Sequence, residues 1–458
     1  MFLRAEAELD RIGASGLRSA SVWQNGRMRL RSPGRRGISI ALAVAVFASA
    51  CGTGTPPRFP TRSPAPTPTA VATNTPAVSP AVSDATTFAT IESQVEAIRG
   101  LKAVHPVNPV LLDPTGLRDK LTAINTSEID HVALANESRL LVHMGLLPAG
   151  SSLEQLELDL EAGQVVGFYD PTSKGLYVLS DSGGVGPVEK MTFSHEYTHA
   201  LQDQKFGLDK LAIDTPDQGD RDMARTALAE GDATMAMTLW SGQNLSLAEL
   251  LSVAGASLTP GAADQLAKAP AILREDLLFP YVQGLDFVQG VYSSGGWAAV
   301  DRLYANPPDS TSQILHPELY ASGVKPVTVT LPPVPRALGS GWKATMQDTL
   351  GEFQLRIWLE GEAPTDAQSS AAAAATSEWG GDRVGLYEGP DGKWAVVLRT
   401  RWRSPAGRAA FVAEANRPPL ARDPSLHYEV CADALEADIY IASDDETVAW
   451  FAPCFPAT

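Results

Sequence analysis

Apolar residues fall at helical spacing from near Phe88 onward (Ile91, Val95, Ile98, Leu101), and a second amphipathic stretch covers residues 132–147. The period then changes. Gln164-Val165-Val166-Gly167-Phe168-Tyr169 and Gly175-Leu176-Tyr177-Val178-Leu179 flank the turn-forming Asp170-Pro171-Thr172-Ser173-Lys174, which predicts a β-hairpin. Helices are predicted next over 188–206 and 221–240, separated by a polar loop with Gly207, Pro216 and Gly219. Helical patterns return over 262–304, broken at Phe279-Pro280 and at Gly295-Gly296, and a further helix is expected near 345–359. Past the low-complexity run 369–377 the chain reads as short strands and one helix, with examples at 393–402, 407–415 and the alternating Ala437-Asp438-Ile439-Tyr440-Ile441. The expected fold is α+β and helix-rich, ending in a smaller α/β region. No internal repeat is visible.

With 458 residues and 44% apolar content, the chain can bury one large core or two smaller ones. Residues 52 to 84 are the exception. They are mostly Pro, Thr, Ser and Ala without an apolar period, and read as an extended tether of about thirty residues at ~3 Å each. The Pro-rich stretch 326–335 marks an internal boundary. The expected organisation is a signal peptide over 1–50, with Met28 as an alternative start, a tether over 51–85, a main domain over 86–335 and a C-terminal α/β region over 336–458.

Charge changes this picture at one end. The formal net charge is −17, yet the first fifty residues hold eight Lys/Arg against three Asp/Glu, which leaves −22 from Cys51 onward. Such acidity argues against nucleic acid as a partner, and it repels anionic lipid, so any membrane attachment needs a covalent anchor or an apolar segment. Arg27, Arg29, Arg31, Arg35 and Arg36 precede an apolar stretch over 38–50 and then Cys51, the order of a signal peptide. Thirteen apolar or small residues are too few for a permanent transmembrane helix. Ala48-Ser49-Ala50-Cys51 resembles a bacterial lipobox, which implies lipidation at Cys51 and an outward-facing lipoprotein of the cell membrane; plain cleavage there would give a secreted protein. The other two cysteines, Cys431 and Cys454, read after export as one disulfide, or else as two buried thiols.

The segment that carries chemistry is Phe193-Ser194-His195-Glu196-Tyr197-Thr198-His199-Ala200-Leu201-Gln202-Asp203. Residues four apart on a helix lie one above the other, so His195 and His199 can bind one zinc ion from the same face. Glu196 then stands beside the metal as general base for an attacking water. A catalytic zinc wants a third protein ligand. The best candidate is Glu230 in Thr226-Ala227-Leu228-Ala229-Glu230-Gly231-Asp232-Ala233, where small neighbours let a second helix approach the first; an exposed helical glutamate is the alternative. Asp203 or Asp232 could orient a ligand histidine. Tyr281, Tyr292 and His316 are candidate donors to a developing oxyanion, and each can equally be structural. The hairpin could offer an edge strand to an extended peptide, or be paired in the core.

The run His195-Glu196-Tyr197-Thr198-His199 followed by a helix with Glu230 resembles the gluzincin branch of zinc metallopeptidases. Thr234 stands where that branch usually has an aspartate, four residues past the ligand Glu. The wider pattern is similar to a group of exported bacterial metallopeptidases. It matches in Gly167-Phe168-Tyr169-Asp170-Pro171, the 195–204 run, Ala229-Glu230-Gly231-Asp232-Ala233, Gly295-Gly296-Trp297 and Gln313-Ile314-Leu315-His316-Pro317, with Trp379-Gly380-Gly381-Asp382-Arg383 more loosely. The resemblance implies a zincin-like core, a small sheet with the active-site helix and the Glu-bearing helix, and hydrolysis of a peptide or protein substrate with one catalytic zinc. The competing reading is a non-catalytic zinc-containing surface lipoprotein that binds a partner; a third is a zinc hydrolase of non-peptide acyl bonds. An acid between the two histidines favours catalysis, since a structural zinc needs none.

Overall fold

The computed structural model describes residues 84–128, 130–164, 166–180, 184–213, 215–257, 262–332, 340–417 and 427–451. The signal peptide and nearly all of the tether lie outside them, as do Cys51 and Cys454. The chain begins with helix α1 (Asp84–Arg99), strand β1 (Pro109–Leu112) and helices α2 (Pro114–Glu128), α3 (His131–His143) and α4 (Leu153–Gln164). The hairpin follows as β2 (Gly167–Asp170) and β3 (Gly175–Leu179), and then come helices α5 (Pro187–Phe206), α6 (Gly219–Asn244), α7 (Leu247–Ser257), α8 (Ala262–Lys268) and α9 (Ala271–Ala305). Among the described residues no helix is long and apolar enough to cross a membrane.

The hairpin forms where its turn chemistry lies. Asp170 Oδ1 accepts the Thr172 N–H at 2.9 Å, and Lys174 takes the left-handed φ of 59° that closes the turn. β1 then pairs parallel to β3, so the sheet order is β1-β3-β2 and β2 is an edge strand. Helix α5 starts with Pro187 in its first turn and stops at Gly207, whose φ of 75° suits glycine. One apolar cluster joins α5 to α1 and the sheet: Phe88, Ile91 and Val95 meet Phe193, Tyr197, Leu201, Leu176 and Val178.

Helix α9 packs more extensively on α6 than on any other described element. A Cβ on Gly231 would lie 2.2 Å from Gly284 O, and one on Gly284 would lie 2.2 Å from Ala227 O, so the two backbones touch. The expected break at Phe279-Pro280 does not occur. Pro280 costs the helix one N–H, but Phe279, Tyr281, Gly284 and Phe287 are all buried there, and that burial holds the helix through the proline. The second break does occur, as a kink: Gly295 and Gly296 leave helical geometry, Gly296 with φ 62°.

Short helices α10 (Thr311–Leu315) and α11 (Pro317–Ala321) lead to the rest of the chain. There β4 (Lys343–Asp348), α12 (Gly351–Glu360), α13 (Asp366–Thr376), β5 (Trp379–Glu388), β6 (Trp394–Trp402), α14 (Pro405–Ala415), β7 (His427–Asp433), β8 (Glu436–Ala442) and α15 (Asp445–Phe451) build a second sheet, antiparallel throughout, in the order β4-β5-β6-β8-β7. Alternate residues of β6 face opposite ways: Val396 and Leu398 join the large core with Trp358 and Phe411, while Ala395 and Val397 join Leu331 and Tyr440 on the other face. The large core also holds Leu140, Phe279 and Val300, from before the Pro-rich stretch.

The single helix expected near 345–359 is instead a strand and a helix. Ala344 to Asp348 pair with β5, and α12 opens at Gly351, which has φ 74° and no room for a Cβ beside Asp220. The low-complexity run is helical, because Thr365 and Gln368 cap α13 reciprocally and its alanines favour helix. The structure as described is α+β and helix-rich.

Candidate metal centre

Helix α5 is unusual in being buried on every side from Met191 to Asp203 while carrying His195, Glu196, His199 and Gln202. Buried polar groups are costly unless partnered, so their partners matter. His195 Nε2 lies 3.0 Å from His199 Nε2 and 3.1 Å from Glu230 Oε2, and His199 Nε2 lies 3.3 Å from the same oxygen. Two turns of α5 supply the nitrogens, and α6 supplies the oxygen. One carboxylate oxygen is thus shared by two imidazole nitrogens that also face each other, a poor set of mutual hydrogen bonds. It is a good set of ligands. Donors ~2.0–2.1 Å from a tetrahedral ion stand about 3.4 Å apart, and the three observed separations fall just inside that. His195, His199 and Glu230 could therefore hold a metal ion. Two nitrogens and a carboxylate oxygen suit zinc among other first-row ions.

The electrostatics follow from burial and proximity. Burial pulls His195 below its ordinary pKa. It pulls on His199 too, but the Glu230 charge and hydrogen bond outweigh it and hold His199 up at about 9. Burial would raise Glu230, yet the two histidines leave it well below the usual carboxylate range. Glu196 is fully buried, and neither carboxylate oxygen has a hydrogen-bond partner of acceptable geometry. Burial pushes its pKa well up; His199 opposes, Glu230 adds to the rise, and the Tyr169 backbone N–H is near enough to oppose it as well.

The remaining candidates are placed as follows. Asp203 accepts from Tyr169 Oη at 2.8 Å, Lys174 Nζ at 2.6 Å and the Leu208 N–H at 3.2 Å, so it pins the hairpin to the end of α5. Asp232 takes Arg99 Nε at 2.6 Å and Nη2 at 3.0 Å, and accepts from Tyr304 Oη at 2.7 Å. Neither carboxylate hydrogen-bonds a histidine of the cluster. Gln202 does, with Oε1 2.9 Å from His199 Nδ1 and Nε2 donating to Ala229 O at 3.0 Å. Sequence reasoning passed over Gln202, although its place three residues past His199 puts it on the same helical face. It also passed over Arg99, fully buried at the end of α1, which pairs with Asp301 at 2.8 Å and stacks on Trp297 besides binding Asp232. Of the three candidate oxyanion donors, Tyr281 is buried with its ring centroid 6.1 Å from that of His195. Tyr292 packs edge-on to Trp297, and His316 Nε2 bonds Glu352 Oε1 at 2.7 Å. Cys431 is disulfide-bonded; Cys454, its expected partner, lies outside the described residues.

Fold and site together define a helix-rich α+β protein with a buried His–His–Glu group able to hold a metal ion. Residues 339–453 match the family described as Domain of unknown function (DUF8575), a match that leaves the cluster outside it. Among solved structures the chain is similar to a candidate hydrolase with a novel fold from Chloroflexus aurantiacus, at 19% identity and TM-score 0.35, over 52% of this chain and 88% of that one. No curated protein matches the chain.

Proposed function

We propose that the chain is an exported, membrane-anchored zinc metallopeptidase that hydrolyses peptide bonds, with His195, His199 and Glu230 as ligands and Glu196 as general base. The observation that carries this reading is the convergence of three buried donors from two helices with a fourth, fully buried carboxylate next to one of them in sequence. The resemblance of the His195 to His199 run and Glu230 to gluzincins supports the same reading, zincin-like core included.

When bound, zinc supplies Lewis acidity and a positive charge that favours Glu196 as the carboxylate. Glu196 takes a proton from the attacking water and returns it to the leaving amine. Its burial keeps bulk water from competing for that proton. Tyr281 receives the oxyanion-donor role here, because its buried ring lies with its centroid 6.1 Å from that of His195. Strand β2, at the edge of its sheet among the described residues, is the strand beside which an extended substrate would lie. For the N-terminus, the arginine run, the short apolar stretch and Cys51 support export and a lipid anchor.

The test is hydrolysis of a broad peptide mixture by the zinc-loaded chain and by Glu196→Gln. The expected result is a loss of at least about 10²-fold in the variant with its zinc retained. Equal activity in the two would remove Glu196 from the mechanism. For the anchor, Cys51→Ser should move the protein from the membrane fraction to the soluble one; an unchanged distribution would contradict lipidation.

A further inference from the structure

The Gln202 side chain lies wholly inside the protein and touches both helices of the centre. Its two ends are chemically distinct, and one neighbour decides which end is which. Ala229 O is a carbonyl and can only accept, so the amide atom 3.0 Å from it must be the NH2 group; a carbonyl has a second lone pair for its helical bond. The other end, 2.9 Å from His199 Nδ1, is then the amide oxygen, which can only accept as well. Hence Nδ1 must carry a hydrogen. In the neutral imidazole this leaves Nε2 with a bare lone pair, and Nε2 is the atom 3.0 Å from His195 Nε2 and 3.3 Å from Glu230 Oε2.

We propose that Gln202 is a positioning residue that holds His199 as the Nδ1–H tautomer, with the Ala229 carbonyl fixing the amide, so that the helix bearing Glu230 sets which nitrogen of His199 faces the metal. The inference rests on the metal centre of the proposed function. It assigns to a neutral amide the task expected of Asp203 or Asp232, and explains how both can bind elsewhere. A neutral acceptor orients the ring without adding a buried negative charge beside Glu196 and Glu230.

Two readouts on the full-length chain test it, neither of them activity. The first is the zinc dissociation constant, from competition with a chelator, for wild type, Gln202→Leu and Gln202→Glu. Leu fills a similar volume without an acceptor and should weaken binding about 10- to 100-fold, the usual effect of losing such a partner. Glu keeps an acceptor for Nδ1–H and should bind at least ten times more tightly than the Leu variant. The second is the ¹⁵N spectrum of histidine-labelled, zinc-loaded wild type, in which Nδ1 of His199 should carry the hydrogen; this readout stands even if a variant fails to fold. Zinc binding by Gln202→Leu within twofold of wild type, or a His199 metal-bound through Nδ1, would overturn the role of Gln202 and leave the centre intact. Wild type that binds no zinc would overturn the centre itself.

Discussion

His199 has Glu230 on one ring nitrogen and Gln202 on the other, and in the metal-free protein it keeps its second proton up to about pH 9. A metal needs the bare nitrogen, so binding must expel that proton. Below about pH 9 the affinity should therefore rise by at least about tenfold per pH unit, with Glu196, also held up by burial, adding to the release. Calorimetry in buffers of different ionisation enthalpy at pH 7 should show about one proton or more released per zinc; no release would contradict the coupling. Arg99 offers a second residue-scale test. Its guanidinium neutralises a carboxylate, Asp232, that is as buried as itself. Arg99→Met should cost about 3–5 kcal/mol in urea unfolding, and adding Asp232→Asn should recover part of it; a purely additive pair would contradict the coupling. At this scale the placing of His195 over His199 was legible in the sequence because helical period alone dictates it. The fate of Asp203 was not, since the hairpin groups that claim it, Tyr169 and Lys174, lie 34 and 29 residues away in the chain.

Between elements, the contact that matters most to the centre is the crossing of α6 and α9. Gly231 follows Glu230, and Gly284 lies one turn past Tyr281, so the glycine-to-glycine approach sets how close the ligand-bearing helix comes to the candidate oxyanion donor. Gly231→Ala or Gly284→Ala must push two backbones apart and should cost about 3 kcal/mol or more, with zinc affinity falling in parallel. Either variant with wild-type stability, measured by urea unfolding, would contradict the tight crossing. The small residues around Glu230 announced a close approach without naming the partner. Local signals served well where an element is decided locally: the hairpin turn, the proline and glycine ends of α5, and the glycine kink in α9. They failed where a distant partner decides. Pro280 stays helical because tertiary packing buries its neighbours, Phe279 against Phe353 of α12, and residues 343–348 become a strand because β5 lies beside them.

Across the whole molecule, the first turn of α6 is also where the C-terminal region attaches. Asp220 accepts the Thr311 N–H and hydroxyl, and its own N–H donates to Thr349 O just before α12. Burial pushes Asp220 up to about 7, with Asp382 and Glu352 adding to the rise against the opposing Thr311 bonds. The folded chain thus holds a proton there that the unfolded chain has released above pH 4. The sign follows: this site's contribution to stability falls as pH rises from about 4 to 7. Asp220→Asn keeps an acceptor for Thr311 and should become more stable relative to wild type across that window by roughly 1–3 kcal/mol in urea unfolding; a constant difference between the two at pH 5 and 7.5 would contradict it. The sequence led us to expect an internal boundary at the Pro-rich stretch 326–335; that residues on either side of it, Phe279 and Ile439 among them, belong to one core was not legible, because only the three-dimensional fold brings such distant segments together. The centre itself is tested most directly by titrating zinc into the chelator-treated full-length chain and into Glu230→Ala. The expected result is one zinc per wild-type chain, weakened by at least about 100-fold in the variant. A wild type that takes up no zinc, or a variant that binds it equally well, would contradict the account.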